Sequence, residues 1–187
     1  SYQPDNKLNY HFRDRNWRFA LDYTQDRFFY KTAFEHVGDQ YASVSVPSTY
    51  QDYEAFDFSQ GYVFTRNWRF NTSTRLGRNN VERDPRLVTT LDRSLSLNTS
   101  LALPWRQSVS GGYTLSETIQ KGGDVDNLGT RTHDARVDYS HGWGNMTTQL
   151  SYDHYLLEPF FASITPRSVS DLLSVSVFNY YPKVSDN

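Results

Sequence analysis

The side chains best suited to chemistry cluster in one stretch and its return: His133, Asp134, Arg136 and Asp138, then Asp153 and His154. If the segment turns back at 142–145 so that Val137 opposes Leu150, then Ala135 opposes Tyr152 and His133 opposes His154 on one face. On the other face Asp134 meets Asp153, Arg136 meets Ser151 and Asp138 meets Gln149. Two carboxylates held together can divide acid and base roles or share a cation, because like charges at close range cannot both ionise freely. A guanidinium between them abolishes that chemistry, and Arg136 is placed to act so. Two readings therefore stand, a carboxylate pair and an arginine-bridged polar cluster.

No motif supplies the rest of an active site. The chain lacks a Gly-x-Ser-x-Gly elbow, a His-Glu-x-x-His pair and a phosphate-binding glycine loop. Gly122, Gly123, Asp124, Val125, Asp126 and Asn127 are rich in calcium-loop residue types, but their spacing and the missing closing glutamate do not make an EF-hand, so they read as a surface loop. Asn71, Asn98 and Asn145 open glycosylation triplets that fall within strands or tight turns. Cysteine is absent, which removes disulfides, thiol catalysis and thiolate metal sites. The 19 basic and 21 acidic residues nearly cancel, and no run of Lys or Arg could neutralise consecutive phosphates, so nucleic acid is not expected as a partner. No catalytic residue, metal ligand or cofactor is assigned.

The elements that carry these residues are strands. With 14 Tyr and 12 Phe and no segment sustaining a helical period, alternation is the dominant pattern. Phe56, Phe58, Gln60, Tyr62 and Phe64 alternate with Asp57, Ser59 and Gly61. Trp17, Phe19, Leu21 and Tyr23 do so with Arg18, Ala20 and Asp22, and Leu95, Leu97, Thr99, Leu101 and Leu103 with Ser96, Asn98 and Ser100. About eleven strands are expected by this rule, at 7–12, 17–24, 28–37, 41–46, 53–64, 68–78, 88–103, 107–116, 130–141, 146–155 and 169–180. Short connections near 13–16, 38–40, 65–67, 104–106 and 142–145 then alternate with mostly longer ones near 25–27, 47–52, 79–87, 117–129 and 156–168. In an up-and-down meander this places tight turns at one end and loops at the other.

Hairpin pairing tests the pattern, since a slip of one residue exchanges the faces. The first hairpin opposes Phe12 with Trp17, Tyr10 with Phe19 and Leu8 with Leu21. About 65–67, Phe64 opposes Trp68, Tyr62 opposes Phe70, Phe58 opposes Thr74 and Asp57 opposes Arg75. About 104–106, Leu101 opposes Val109, Leu97 opposes Tyr113 and Leu95 opposes Leu115. With the hairpin at 142–145, four pairings give one continuous apolar face and one continuous polar face. Every tryptophan, Trp17, Trp68, Trp105 and Trp143, lies in or beside a short turn, which places all four at one end of the sheet. Arg15–Phe19 repeats as Arg66–Phe70, both copies spelling Arg, Asn, Trp, Arg, Phe where a short turn leads into a strand.

A mean hydropathy of -0.72 fits a soluble protein, and it equally fits a barrel of which only alternate residues meet lipid. The Asn-Trp turns, alternating strands and Gly/Asp/Asn loop resemble Gram-negative outer-membrane β-barrels of the porin-like kind. That resemblance implies an all-β transmembrane barrel over 1–187, or a segment of a longer one, in the bacterial outer membrane. It implies a lumen lined by Asp57, Arg75, Asp134, Arg136, Asp138 and Asp153, and an interface belt of Trp17, Trp68, Trp105 and Trp143. Membrane lipid and a plug or partner protein are the implied partners, and the function is a pore, an export channel or a scaffold. Two alternatives remain: a soluble extracellular β-sheet used in binding or adhesion, and an outer-membrane hydrolase using Asp134 and Asp153.

Overall fold

A computed structural model of the chain describes residues 7–13, 16–38, 53–80, 88–122, 125–161 and 166–179. These residues form ten strands and no helix: β1 (Lys7–Arg13), β2 (Asn16–Gln25), β3 (Phe28–Val37), β4 (Tyr53–Thr65), β5 (Trp68–Asn79), β6 (Thr89–Leu103), β7 (Gln107–Gly122), β8 (Val125–Trp143), β9 (Met146–Phe161) and β10 (Ser168–Asn179). They lie side by side in chain order as one antiparallel sheet, with β1 and β10 at its two open edges. The protein is therefore an all-β, up-and-down meander.

Three of the four expected hairpin registers are observed. Tyr10 pairs with Phe19, Asp57 with Arg75 and Leu97 with Tyr113. In the second of these a bulge between Val63 and Thr65 brings Thr65 opposite Trp68, and the Phe64 and Trp68 rings stack at 4.3 Å instead of forming a ladder pair. The fourth hairpin is shifted by two residues from expectation. Trp143 pairs with Met146 across a two-residue turn of Gly144 and Asn145, with Gly144 at φ 59°. Glycine adopts that left-handed conformation at little cost. The shift sets Val137 against Tyr152 and Ala135 against His154, while His133 faces Leu156. A shift of two leaves both faces intact, so only the partners change.

Two further expectations are corrected. The expected strand at 41–46 lies outside the described residues, and β3 is hydrogen-bonded directly to β4. Trp17 therefore lies at the opposite end of the sheet from Trp68, Trp105 and Trp143. The two Arg-Asn-Trp-Arg-Phe copies likewise mark opposite ends. The second correction concerns 117–129, which is mostly strand: β7 continues to Gly122 and β8 begins at Val125, so Val125–Asn127 belong to β8 and not to a surface loop. One end of the sheet thus carries only tight turns, at 26–27, 66–67, 104–106 and 144–145. The other carries the widest gaps between strands, Val37 to Tyr53 and Asn79 to Thr89.

The tight turns are staggered. Phe28, which opens β3, is level with Phe70, two residues inside β5. Trp68, which opens β5, is level with Val109, two residues inside β7. Gln107, which opens β7, is level with Thr148, two residues inside β9. Each hairpin thus extends two residues beyond the one before, about one residue per strand. With a rise of about 3.3 Å per residue and about 4.8 Å between strands, the line of turns makes an angle of about 35° with the perpendicular to the strands. Backbone bonds hold the stagger, for Val63, Ala102 and Gly142 donate N–H to the turn carbonyls of Arg27, Asn67 and Arg106 at 2.7, 2.8 and 3.0 Å.

Among the described residues the sheet has almost no core. Ala55 is the one buried hydrophobic residue, and Val137, on an interior strand, is 53% exposed. A single layer cannot bury its apolar face against itself.

Candidate functional site: the two faces of the sheet

The polar face carries the expected lining residues, and its charges are arranged in two groups. On β4 and β5, the Arg75 guanidinium lies 3.7 Å from Asp57 and donates a hydrogen bond to the Tyr53 hydroxyl at 2.8 Å. Asp57 and Arg75, together with Arg18, Asp22 and Lys31, line a hollow of about 680 Å³. A second hollow of about 370 Å³ is lined by Asn98, Ser110, Gly112, Asp134, Arg136 and Asp138. Hydroxyls pair across this face, Ser96 with Thr114 at 3.1 Å and Ser108 with Ser140 at 2.7 Å.

Asp134 and Asp153 do not form the expected pair. Asp153 is opposite Arg136, and Asp134 lies between Thr114 and Tyr155. Arg136 donates to Asp138 at 2.8 Å and reaches Asp153 at 3.6 Å, while the Ser151 hydroxyl donates to Asp138 at 2.7 Å. The arginine-bridged cluster is what the register builds. Asp153 is thus engaged by a guanidinium, and the directly opposed carboxylate pair on which the acid/base reading rested is not formed. His133 and His154 lie on the opposite face, as expected, but apart: Tyr113 Oη is 2.7 Å from His133 Nδ1, and Asp171 is 2.7 Å from His154 Nδ1.

The apolar face is bounded at both ends. At the tight-turn end Phe64 and Trp68 stack, His141 and Trp143 are 4.0 Å apart, and Trp105 is 83% exposed on its turn. Thr99, a polar residue among leucines, is explained here, because its hydroxyl accepts from Trp68 Nε1 at 3.0 Å and donates to the Arg69 carbonyl at 3.1 Å. Trp17, at the other end, stacks on Phe34 at 4.8 Å and neighbours His36.

That other end also carries a row of ion pairs that the sequence reading missed. His36 and Arg78 share Glu54 at 3.2 and 3.0 Å, Arg131 holds Glu117 at 2.6 Å, and Arg167 meets Glu158 at 3.4 Å. His36, Glu54 and Arg78 share one row of the ladder. Arg93, Glu117, Arg131 and Glu158 share another, two residues nearer the tight turns. His154 and Asp171 lie nearer still. The charged boundary therefore steps in the same direction as the turns. Placing 117–129 in a loop concealed Glu117, and the parity of charges at strand ends was the sign available.

In comparisons with known proteins, no family model, no curated protein and no solved structure matches this chain.

Proposed function

We propose that this chain forms wall of a bacterial outer-membrane β-barrel whose polar face lines an aqueous interior, serving as a pore, an export channel or a sheath around a partner. One observation carries the reading: a coreless apolar face bounded by aromatic turns on one side and ion pairs on the other, with both boundaries stepping together across the strands. Strands tilted by about 35–45° in a bilayer require this geometry, because the membrane plane cuts each successive strand at a shifted residue. On β6 the run from Leu103 to Arg93 is close to the roughly 9–11 residues of a tilted crossing. The aromatic boundary suits headgroups, and three tryptophans at the tight-turn end fit a periplasmic girdle. Membrane lipid is the partner of the outer face. The mixed, hydroxyl-rich inner face suits water or a docked protein.

The soluble-sheet alternative needs a second layer over the apolar face, and none is present among the described residues. The hydrolase alternative needs the Asp134–Asp153 pair, which Arg136 interrupts.

Flotation with lipid vesicles tests the reading. The refolded chain should rise with the lipid and migrate differently on gels with and without boiling. A chain that stays monodisperse in detergent-free buffer overturns it. Planar-bilayer conductance then separates an open pore from a sheath that seals only around its partner.

A further inference from the structure

We propose that the outer face of β3–β5 seats a second copy of this chain inside the bilayer, through a polar patch of Thr32, Gln60, Thr72 and Thr74, while lipid covers the rest of that face. The inference rests on the reading of the sheet as membrane-spanning. On β3 Thr32 lies midway between Phe28 and His36, on β4 Gln60 lies between Glu54 and Phe64, and on β5 Thr72 and Thr74 lie between Trp68 and Arg78. All four are therefore well inside the aromatic and charged boundaries. The ladder draws them together, for Gln60 is the direct partner of Thr72, and Thr32 and Thr74 flank Phe58 in the adjacent row of the same face. None of the four is buried. Among the described residues none of their side chains makes a hydrogen bond.

The same depth on the neighbouring strands is different. It carries Leu95 and Leu97 on β6, Tyr113 on β7, Val137 on β8 and Leu150 on β9. The polar atoms there are engaged, Thr99 with Trp68 and the Tyr113 hydroxyl with His133. Hydrocarbon offers an amide no partner, and an unpaired one is costly there. A glutamine side chain has both N–H donors and a carbonyl acceptor, so it complements another glutamine. Depth then selects the occupant. Copies inserted in one orientation and related by a two-fold axis along the membrane normal present the same residues at the same level. Gln60 and the threonines thus meet their own counterparts, and aromatic boundary meets aromatic boundary. The patch carries no charge, so doubling it sets no like charges against each other.

Cross-linking tests the site. The chain has no cysteine, so a single one introduced by substitution reports contact without interference. In phosphatidylcholine vesicles, oxidation of Thr72→Cys is expected to give disulfide-linked pairs at least about fivefold more abundantly than oxidation of Val137→Cys, since only close approach permits the bond. Val137 is the control because it lies midway between Trp143 and Arg131 on β8. Gln60→Leu should weaken self-association in detergent about tenfold, read by sedimentation equilibrium, and Gln60→Asn should weaken it less because the amide is kept. Equal cross-linking at positions 72 and 137, or none at either in a chain that floats with the vesicles, overturns the proposal. An unchanged dissociation constant for Gln60→Leu does the same. If Thr72→Cys in the outer membrane of an expressing bacterium is linked only to a protein of another mass, a different partner covers the patch and the second copy is excluded. A chain that never enters vesicles fails the membrane reading itself, a result distinct from a monomer that floats with lipid.

Discussion

Arg136 shows how much depends on a single side chain. Its guanidinium is shared between Asp138 and Asp153, at 2.8 and 3.6 Å, and its side chain is 52% exposed. Water screens so open a group, so Arg136→Gln should change stability little. Its electrostatic effect should be larger, because the described polar face of β6–β9 then retains Asp92, Asp134, Asp138 and Asp153 with no basic partner. In a conducting barrel the reversal potential under a salt gradient should move towards cations, and an unchanged potential would place these carboxylates away from the permeation path. Thr99 makes the corresponding point on the outer face. Thr99→Val removes the acceptor of the Trp68 indole and should cost about 1 kcal/mol, read from the urea midpoint in vesicles. The sequence showed Thr99 only as a polar residue among leucines, since its partner is 31 positions away.

At the scale of the element, the turns decide which partners meet. Alternation alone revealed the two faces, because parity survives any even shift; two hairpins were legible to the residue, and a third up to the bulge beside its turn. The fourth was not, since Gly144 and Asn145 make a turn of two residues where four had been allowed. That difference of two positions separates Asp134 from Asp153 and dissolves the one constellation that resembled an active site. Replacing Gly144 with Val forces a β-branched residue into left-handed backbone and should cost about 1–2 kcal/mol. Gly61 is constrained from above instead: a Cβ there would collide with the Phe29 ring and with Asn71 Oδ1. Phe29 is its ladder partner and lies over it on the polar face. Gly61→Leu should cost about 1–3 kcal/mol, and Phe29→Ala in the same chain should recover part of that loss if the ring is the obstacle. The end at which Trp17 lies was illegible for a different reason, because it depends on β3 pairing directly with β4, a long-range fact that alternation does not carry.

For the whole molecule, the two faces make opposite demands. Leu97 lies on the apolar face of β6, between the aromatic and charged boundaries, while Ser96 beside it lies on the polar face. Leu97→Arg should lower stability in vesicles by about 2–4 kcal/mol, the penalty for a charge near the bilayer midplane. Ser96→Arg should be tolerated and should alter conductance instead. Equal costs at the two positions would remove the distinction between lipid and lumen on which the functional reading depends. The fold class was visible in the sequence because alternation is a local property. The angle of the strands was hidden, because it emerges only when the registers of successive hairpins are laid end to end.

The backbone bonds that tie Val63, Ala102 and Gly142 to the preceding turns have a kinetic consequence. Amides at the ends of strands ordinarily fray and trade their protons with water early. These three are closed by a neighbour that is itself part of a hairpin, so opening one requires loosening two. In deuterated buffer their protons should persist as long as those at mid-strand. Exchange should advance from the wide-gap end inward, giving the sheet one fast rim and one slow one.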